Sequence, residues 1–169
     1  MKNIMLIGFM GAGKTTIAKE LAKLLNRPFI DTDEQIEQEL GMPTTEIFSK
    51  YGEAFFRKKE KEHILSLIKK EGKVVALGGG AFLQEEIRNA CLDNCFVVYL
   101  DLSWKSWLDR LGDLITTRPI LQQKSEDEIK QLFEERKAYY STHHLKVNTD
   151  GKSPQIIAKE IIERLDENA

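Results

Sequence analysis

Short apolar-rich runs punctuate the chain at Ile4-Met5-Leu6-Ile7, Pro28-Phe29-Ile30-Asp31, Val74-Val75-Ala76-Leu77, Cys95 to Leu100 and Leu145-Lys146-Val147. Runs of this length with little polar alternation predict strands buried on both faces. Between them the apolar residues change to helical spacing: Ile17, Leu21, Leu24 and Leu25 after the first run, and Ile157, Ile161 and Leu165 near the end. Start signals agree with this spacing. Ser103 caps a helix predicted over Trp104 to Leu111, Ser125-Glu126-Asp127-Glu128 is a capping box opening a helix to about Ser141, and Ser153-Pro154 opens the final one. The alternation predicts an α/β fold, a five-stranded parallel sheet with helices on both faces. Two segments fit it poorly, a helical insertion over about 34–70 and an irregular stretch over about 112–124.

The first strand runs directly into Gly8-Phe9-Met10-Gly11-Ala12-Gly13-Lys14-Thr15, which has the form G-x-x-x-x-G-K-[ST]. Glycines allow the backbone to wrap around phosphate, and successive N–H groups at a helix N-terminus supply positive potential without side chains. Lys14 adds a charge for the β- and γ-phosphates, and the Thr15 hydroxyl offers a ligand to Mg²⁺. Gly11, Ala12, Gly13, Lys14, Thr15 and Thr16 are therefore the predicted nucleotide-binding residues. On a phosphate-binding core, insertions such as 34–70 and 112–124 make acceptor sites and lids.

Composition narrows the partners. At 169 residues the chain is predicted to form a single domain over 1–169, and its net charge of −2 gives no sign of a nucleic-acid or membrane surface. Cys91 and Cys95 are too few for a disulfide framework and lack the second pair a zinc site requires, so reduced, partly buried thiols in a cytoplasmic protein are expected. The apolar core of the N-terminal stretch is short for a signal peptide and continues into the phosphate loop. No other segment reaches membrane-spanning length.

In parallel sheets ligands sit beyond the carboxyl ends of the strands, and several candidate residues fall there. Asp31 ends the second strand, where it is expected to order a metal-bound water, and Asp33 follows to accept the proton of an attacking hydroxyl. The alternative use of Asp31 is as a helix cap. Gly78-Gly79-Gly80 closes the third strand without a carboxylate and lets the backbone approach a ligand. Arg57 and Arg136 lie on charge-rich helices where solvation is the default reading, with Tyr140 on the Arg136 face. Arg118, in Thr116-Thr117-Arg118-Pro119, belongs to the irregular stretch, from which a cation can swing over a transferring phosphoryl group. Arg110 precedes that stretch and is a candidate for stacking on adenine. His143-His144 has no further ligand at suitable spacing and is assigned no chemistry.

Gly8 to Thr16, Phe29-Ile30-Asp31-Thr32-Asp33, Ile47-Phe48 with Gly52-Glu53 and Phe56-Arg57, Gly78-Gly79-Gly80-Ala81, Arg118-Pro119, and Leu132-Phe133 to Arg136 and Tyr140 together resemble shikimate kinase, in order over nearly the whole chain. The resemblance implies a P-loop NTPase three-layer sandwich with a helical substrate-binding insertion and a mobile lid. It further implies Mg²⁺-dependent transfer of the γ-phosphoryl group of ATP to the 3-hydroxyl of shikimate, on the route to chorismate and the aromatic amino acids, by a monomer. Under it Asp33 binds the acceptor hydroxyls and acts as base, and Arg57 and Arg136 clamp the carboxylate. Gly79, with Gly78 and Gly80, donates backbone N–H to the acceptor. Lys14 and Arg118 act on the phosphates, Thr15 holds Mg²⁺ with Asp31 behind a water, and Arg110, Lys152 and Pro154 complete the adenine pocket. Ala76 stands where some relatives carry a serine near the metal's water shell. Two other readings share parts of this pattern: a kinase for a sugar acid such as gluconate or for a nucleoside monophosphate, and a nucleotide-switch binding module. The switch class calls for an Asn-Lys-x-Asp segment, and the sequence has none.

Overall fold

The computed structural model describes residues 1–111, 121 and 124–167. Its strands are β1 (Ile4–Ile7), β2 (Phe29–Asp31), β3 (Val74–Ala76), β4 (Phe96–Asp101) and β5 (Leu145–Asn148). They form one parallel sheet in the order β2-β3-β1-β4-β5. The five expected runs are all present, shifted by a residue or so at their ends.

Alternation along each strand sends side chains to two separate cores. Met5, Ile7, Val75, Val97 and Tyr99 face one way, and Ile4, Leu6, Val74, Val98, Leu100 and Val147 the other. The second face is covered by α1 (Lys14–Leu25) and the C-terminal helix through Ile17, Leu21, Ile157 and Ile161. Residues of α4 (Glu53–Leu67), α5 (Glu85–Asn94), α6 (Trp104–Leu108) and α7 (Glu126–Lys137) cover the first face, and α8 (Pro154–Glu167) ends the described chain. Helices on both faces complete the expected three layers.

The insertion is helical as expected, and consists of α2 (Thr32–Leu40), α3 (Thr44–Tyr51) and α4. Ile36, Ile47 and Phe56 give it a small core of its own. Helix α4 belongs to both bodies, since Phe56 lies in this small core and Ile64 in the core under the sheet.

Some expectations need correction. The helix capped by Ser103 ends at Leu108 and not Leu111, because Arg110 N–H closes on the Trp107 carbonyl at 2.9 Å, a short-range bond that tightens the last turn. The Ser125 capping box is present, but the α-helix stops at Lys137 and continues only as a 3₁₀ turn over Ala138–Tyr140. Cys91 and Cys95 are free, yet fully and not partly buried, because both pack in the core beneath the sheet. The predicted lid, including Arg118, lies outside the described residues apart from Leu121 and Lys124.

Candidate active site

At the carboxyl edge of the sheet the chain leaves β1 for the Gly8–Thr15 loop. Gly13 closes the loop at φ +89°, a left-handed conformation that only glycine adopts cheaply, and α1 starts at the next residue. Lys14 is buried to 8% exposure, and its ammonium donates to the carbonyls of Gly8 and Phe9 at 2.7 and 3.1 Å. Gly11, Gly13, Lys14, Thr15 and Thr16 line one depression, and Arg110 leans over the loop with a guanidinium N–H on the Gly11 carbonyl at 2.9 Å.

A cleft of about 470 Å³ adjoins this loop. Met10, Lys14 and Thr15 line it on the loop side, Asp31 and Asp33 from β2 and α2, and Gly78 and Gly79 beyond β3. Register explains the grouping. Asp31 pairs with Ala76 across the sheet, as Leu6 does from the other side, so three strand ends meet at one place.

Of the two uses weighed for Asp31, the helix cap is present. One carboxylate oxygen accepts the Thr15 hydroxyl at 2.5 Å, and the other caps α2 by accepting Glu34 N–H at 3.0 Å. The cap fixes the carboxylate's rotamer and thereby aims its second oxygen at the loop. Asp33, in the first turn of α2, lies against Gly78 so closely that a methyl group there would collide with its Oδ1. The neighbouring Thr32 is fully buried, and its hydroxyl accepts Gly78 N–H at 3.1 Å, which joins α2 to the glycine segment.

The two candidate arginines come from separate helices and converge on that segment. Arg136 is buried to 4% exposure and donates to the Gly79 carbonyl at 3.1 Å. Arg57 packs its guanidinium over Phe48 and Phe56, and a Cβ on Gly80 would overlap it. A side chain at 80 would have to push the Arg57 guanidinium aside, whereas the backbone there, at φ −100° and ψ 0°, suits any residue. Tyr140, on the Arg136 face, donates its hydroxyl to the same Gly79 carbonyl at 2.6 Å.

Sequence reasoning missed Glu60. It is completely buried, accepting Arg57 at 2.9 Å and Gln84 at 3.2 Å through Oε1, while Oε2 accepts no hydrogen bond from the described residues. Burial pushes its carboxyl above the usual range, and the Arg57 guanidinium opposes that rise. A signal was present in the spacing: Phe56, Glu60 and Ile64 are four apart, so Glu60 lies in the middle of a buried stripe. Trp107 was also missed as part of the site. Fully buried, it donates its indole N–H to the Met10 carbonyl at 2.8 Å and packs edge-on against Phe9.

Lys152 pairs with Glu160 at 2.9 Å, and Pro154 starts α8 beyond the carboxyl end of β5, the sheet edge that also carries the loop. His143 and His144 serve the backbone: His143 contacts the Tyr140 carbonyl at 2.7 Å, and His144 Nδ1 accepts Val97 N–H at 2.9 Å. Among the described residues no three His, Cys, Asp or Glu side chains form a metal-binding group.

A family model described as shikimate kinase matches residues 10–166. The shikimate kinase of Bacillus subtilis is 56% identical over 165 residues, which cover 97% of this chain and 89% of that protein. Among solved structures, shikimate kinase from Acinetobacter baumannii in complex with shikimate aligns with a TM-score of 0.93 at 34% identity, covering 99% of this chain and 94% of that one. Shikimate kinase from Aquifex aeolicus aligns with a TM-score of 0.87 at 40% identity, covering 98% and 97%.

Proposed function

Because the chain belongs to the shikimate kinase family, we infer that it transfers the γ-phosphoryl group of ATP to the 3-hydroxyl of shikimate, giving shikimate 3-phosphate and ADP. The observation that carries this reading is one cleft that joins the phosphate loop to Asp33 and the glycine segment, with two arginines converging behind that segment.

The roles proposed for individual residues rest on the family resemblance, and the geometry of the described ones supports them. The loop's backbone amides and Lys14 hold the phosphates, and Arg110, already seated on the loop, covers the adenine together with Lys152 and Pro154. Asp33 orients the acceptor hydroxyl and takes up its proton. A planar carboxylate suits guanidinium forks, so Arg57 and Arg136 fix the ring and the distance of its hydroxyl from ATP. Since the transferring group passes through a loose transition state, positioning and charge do most of the catalysis. Arg118 supplies further charge from the predicted lid.

The residues present suit Mg²⁺. One hydroxyl, from Thr15, is held by a carboxylate behind it, a donor set for a hard cation that takes its remaining oxygens from water and phosphate. When bound, the ion neutralises charge on the β- and γ-phosphates. Ala76 offers no side-chain oxygen to that shell, and its carbonyl accepts the Thr32 hydroxyl instead, at 3.5 Å.

No helix among the described residues is long and apolar enough to cross a membrane. The proposal extends to a cytoplasmic monomer built as one domain, and the two free cysteines suit a reducing compartment. The test is ADP release from Mg²⁺-ATP with shikimate, gluconate or a nucleoside monophosphate offered separately, beside a Lys14→Ala control. Turnover with shikimate alone, abolished in the control, is expected; turnover only with another acceptor would reject the reading.

A further inference from the structure

The glycine segment is a tight turn. Ala81 N–H donates to the Gly78 carbonyl at 3.1 Å, and Gly80 has φ −100° and ψ 0°, values of the third residue of a type I turn. Type I and type II turns differ by a flip of the central peptide, here Gly79–Gly80, and the type II form needs positive φ at the third residue. Any side chain would oppose that flip. At position 80 a side chain would also have to push the Arg57 guanidinium aside, and the glycine that avoids this leaves the turn free to flip.

The flip would matter because a trans peptide points its carbonyl and its N–H in opposite directions. It would carry the Gly79 carbonyl away from Arg136, removing an anchor of that guanidinium, and would reverse the N–H of Gly80. Two donors oppose this, Arg136 at 3.1 Å and the Tyr140 hydroxyl at 2.6 Å. Only one of them is free of any duty toward the acceptor.

We propose that Tyr140 is a positioning residue that locks the Gly79–Gly80 peptide in its type I orientation and so keeps the acceptor side of the cleft, Arg136 included, preorganised for the substrate carboxylate. Tyr140 is 2% exposed, stacks on Tyr99 with ring centres 5.5 Å apart, and is held at its own carbonyl by His143 at 2.7 Å. Its hydroxyl has little freedom to leave the Gly79 carbonyl. Burial also raises its pKa to about 12, which keeps it a neutral donor throughout the working range.

The inference rests on the reading of the cleft as a shikimate site, and wild-type turnover tests that reading separately. Tyr140→Phe removes only the hydroxyl and leaves Gly79 bonded to Arg136, so the variant is expected to fold. The KM for shikimate is expected to rise about fivefold, the worth of one hydrogen bond, with the KM for ATP unchanged. Tyr99→Phe is the control for general damage to the same aromatic stack, because the Tyr99 hydroxyl contacts Asp101 and not the turn. A second readout needs no substrate: ¹⁵N relaxation dispersion on glycine-labelled protein is expected to show exchange at Gly80 in Tyr140→Phe and none in the wild type. The lock is overturned by an unchanged KM for shikimate, by an equal rise in Tyr99→Phe, or by a Gly80 amide without exchange in Tyr140→Phe.

Discussion

Glu60 shows how much a single buried charge can decide. Its raised pKa has a thermodynamic counterpart: a carboxyl that titrates higher when folded than when unfolded stabilises the fold below its unfolded value near 4.5. That contribution is lost as pH rises through the folded value. We therefore expect wild-type stability, measured by urea midpoints, to fall relative to Glu60→Gln between pH 5 and pH 8. A change in the opposite direction would mean that the Arg57 pair outweighs the burial. The same residue shows where the sequence was hard to read. Arg57-Lys58-Lys59-Glu60-Lys61-Glu62 looks like a solvated helix face, and only the packing of α4 between two cores buries its fourth member. The Asp31 cap was legible because an Asp directly before a helix start accepts an N–H of the first turn, a local arrangement.

At the scale of elements, the phosphate loop is held from behind by aromatic residues of two helices. Phe9 packs edge-on against Trp107 of α6 and Phe133 of α7, with ring centres 5.3 and 5.0 Å apart, and Trp107 bonds the Met10 carbonyl. Helix α7 also carries Arg136, so one aromatic cluster links the nucleotide loop to the acceptor clamp. Trp107→Phe keeps most of the ring but strands a buried carbonyl, which costs about 1–3 kcal/mol. We expect the thermal midpoint to fall by roughly 2–4 °C for each kcal/mol, as for other chains of this size. An unchanged midpoint would show the indole N–H to be dispensable. These links were not legible beforehand, since an aromatic at helical spacing reads as core whatever it touches. Strand positions and helix starts were legible, because apolar runs and capping residues act locally. Helix ends were less so: α6 stops where Arg110 turns toward the loop, a tertiary contact with no local signal.

Over the whole molecule, the acceptor site is assembled from pieces far apart in sequence. Asp33 comes from the insertion, Gly78 to Gly80 from the end of β3, and Arg136 from a helix under the sheet, while Arg57 sits on α4, which joins the insertion's small core to the main one. Acceptor binding should therefore tie the two cores together and resist global unfolding. A ligand at a hundred times its dissociation constant stabilises by about 2.7 kcal/mol, roughly 5–10 °C for a chain of this size. Shikimate is expected to raise the wild-type midpoint by that amount, and Arg57→Ala to lose nearly all of the rise at the same shikimate concentration while keeping the rise that Mg²⁺-ATP produces. The two ligands separate the possible failures. Loss of both rises would mean that Arg57 supports the fold in general, and an undiminished shikimate rise would remove Arg57 from the carboxylate clamp. Loss of the shikimate rise alone would place the bridge between the two cores at the guanidinium of α4.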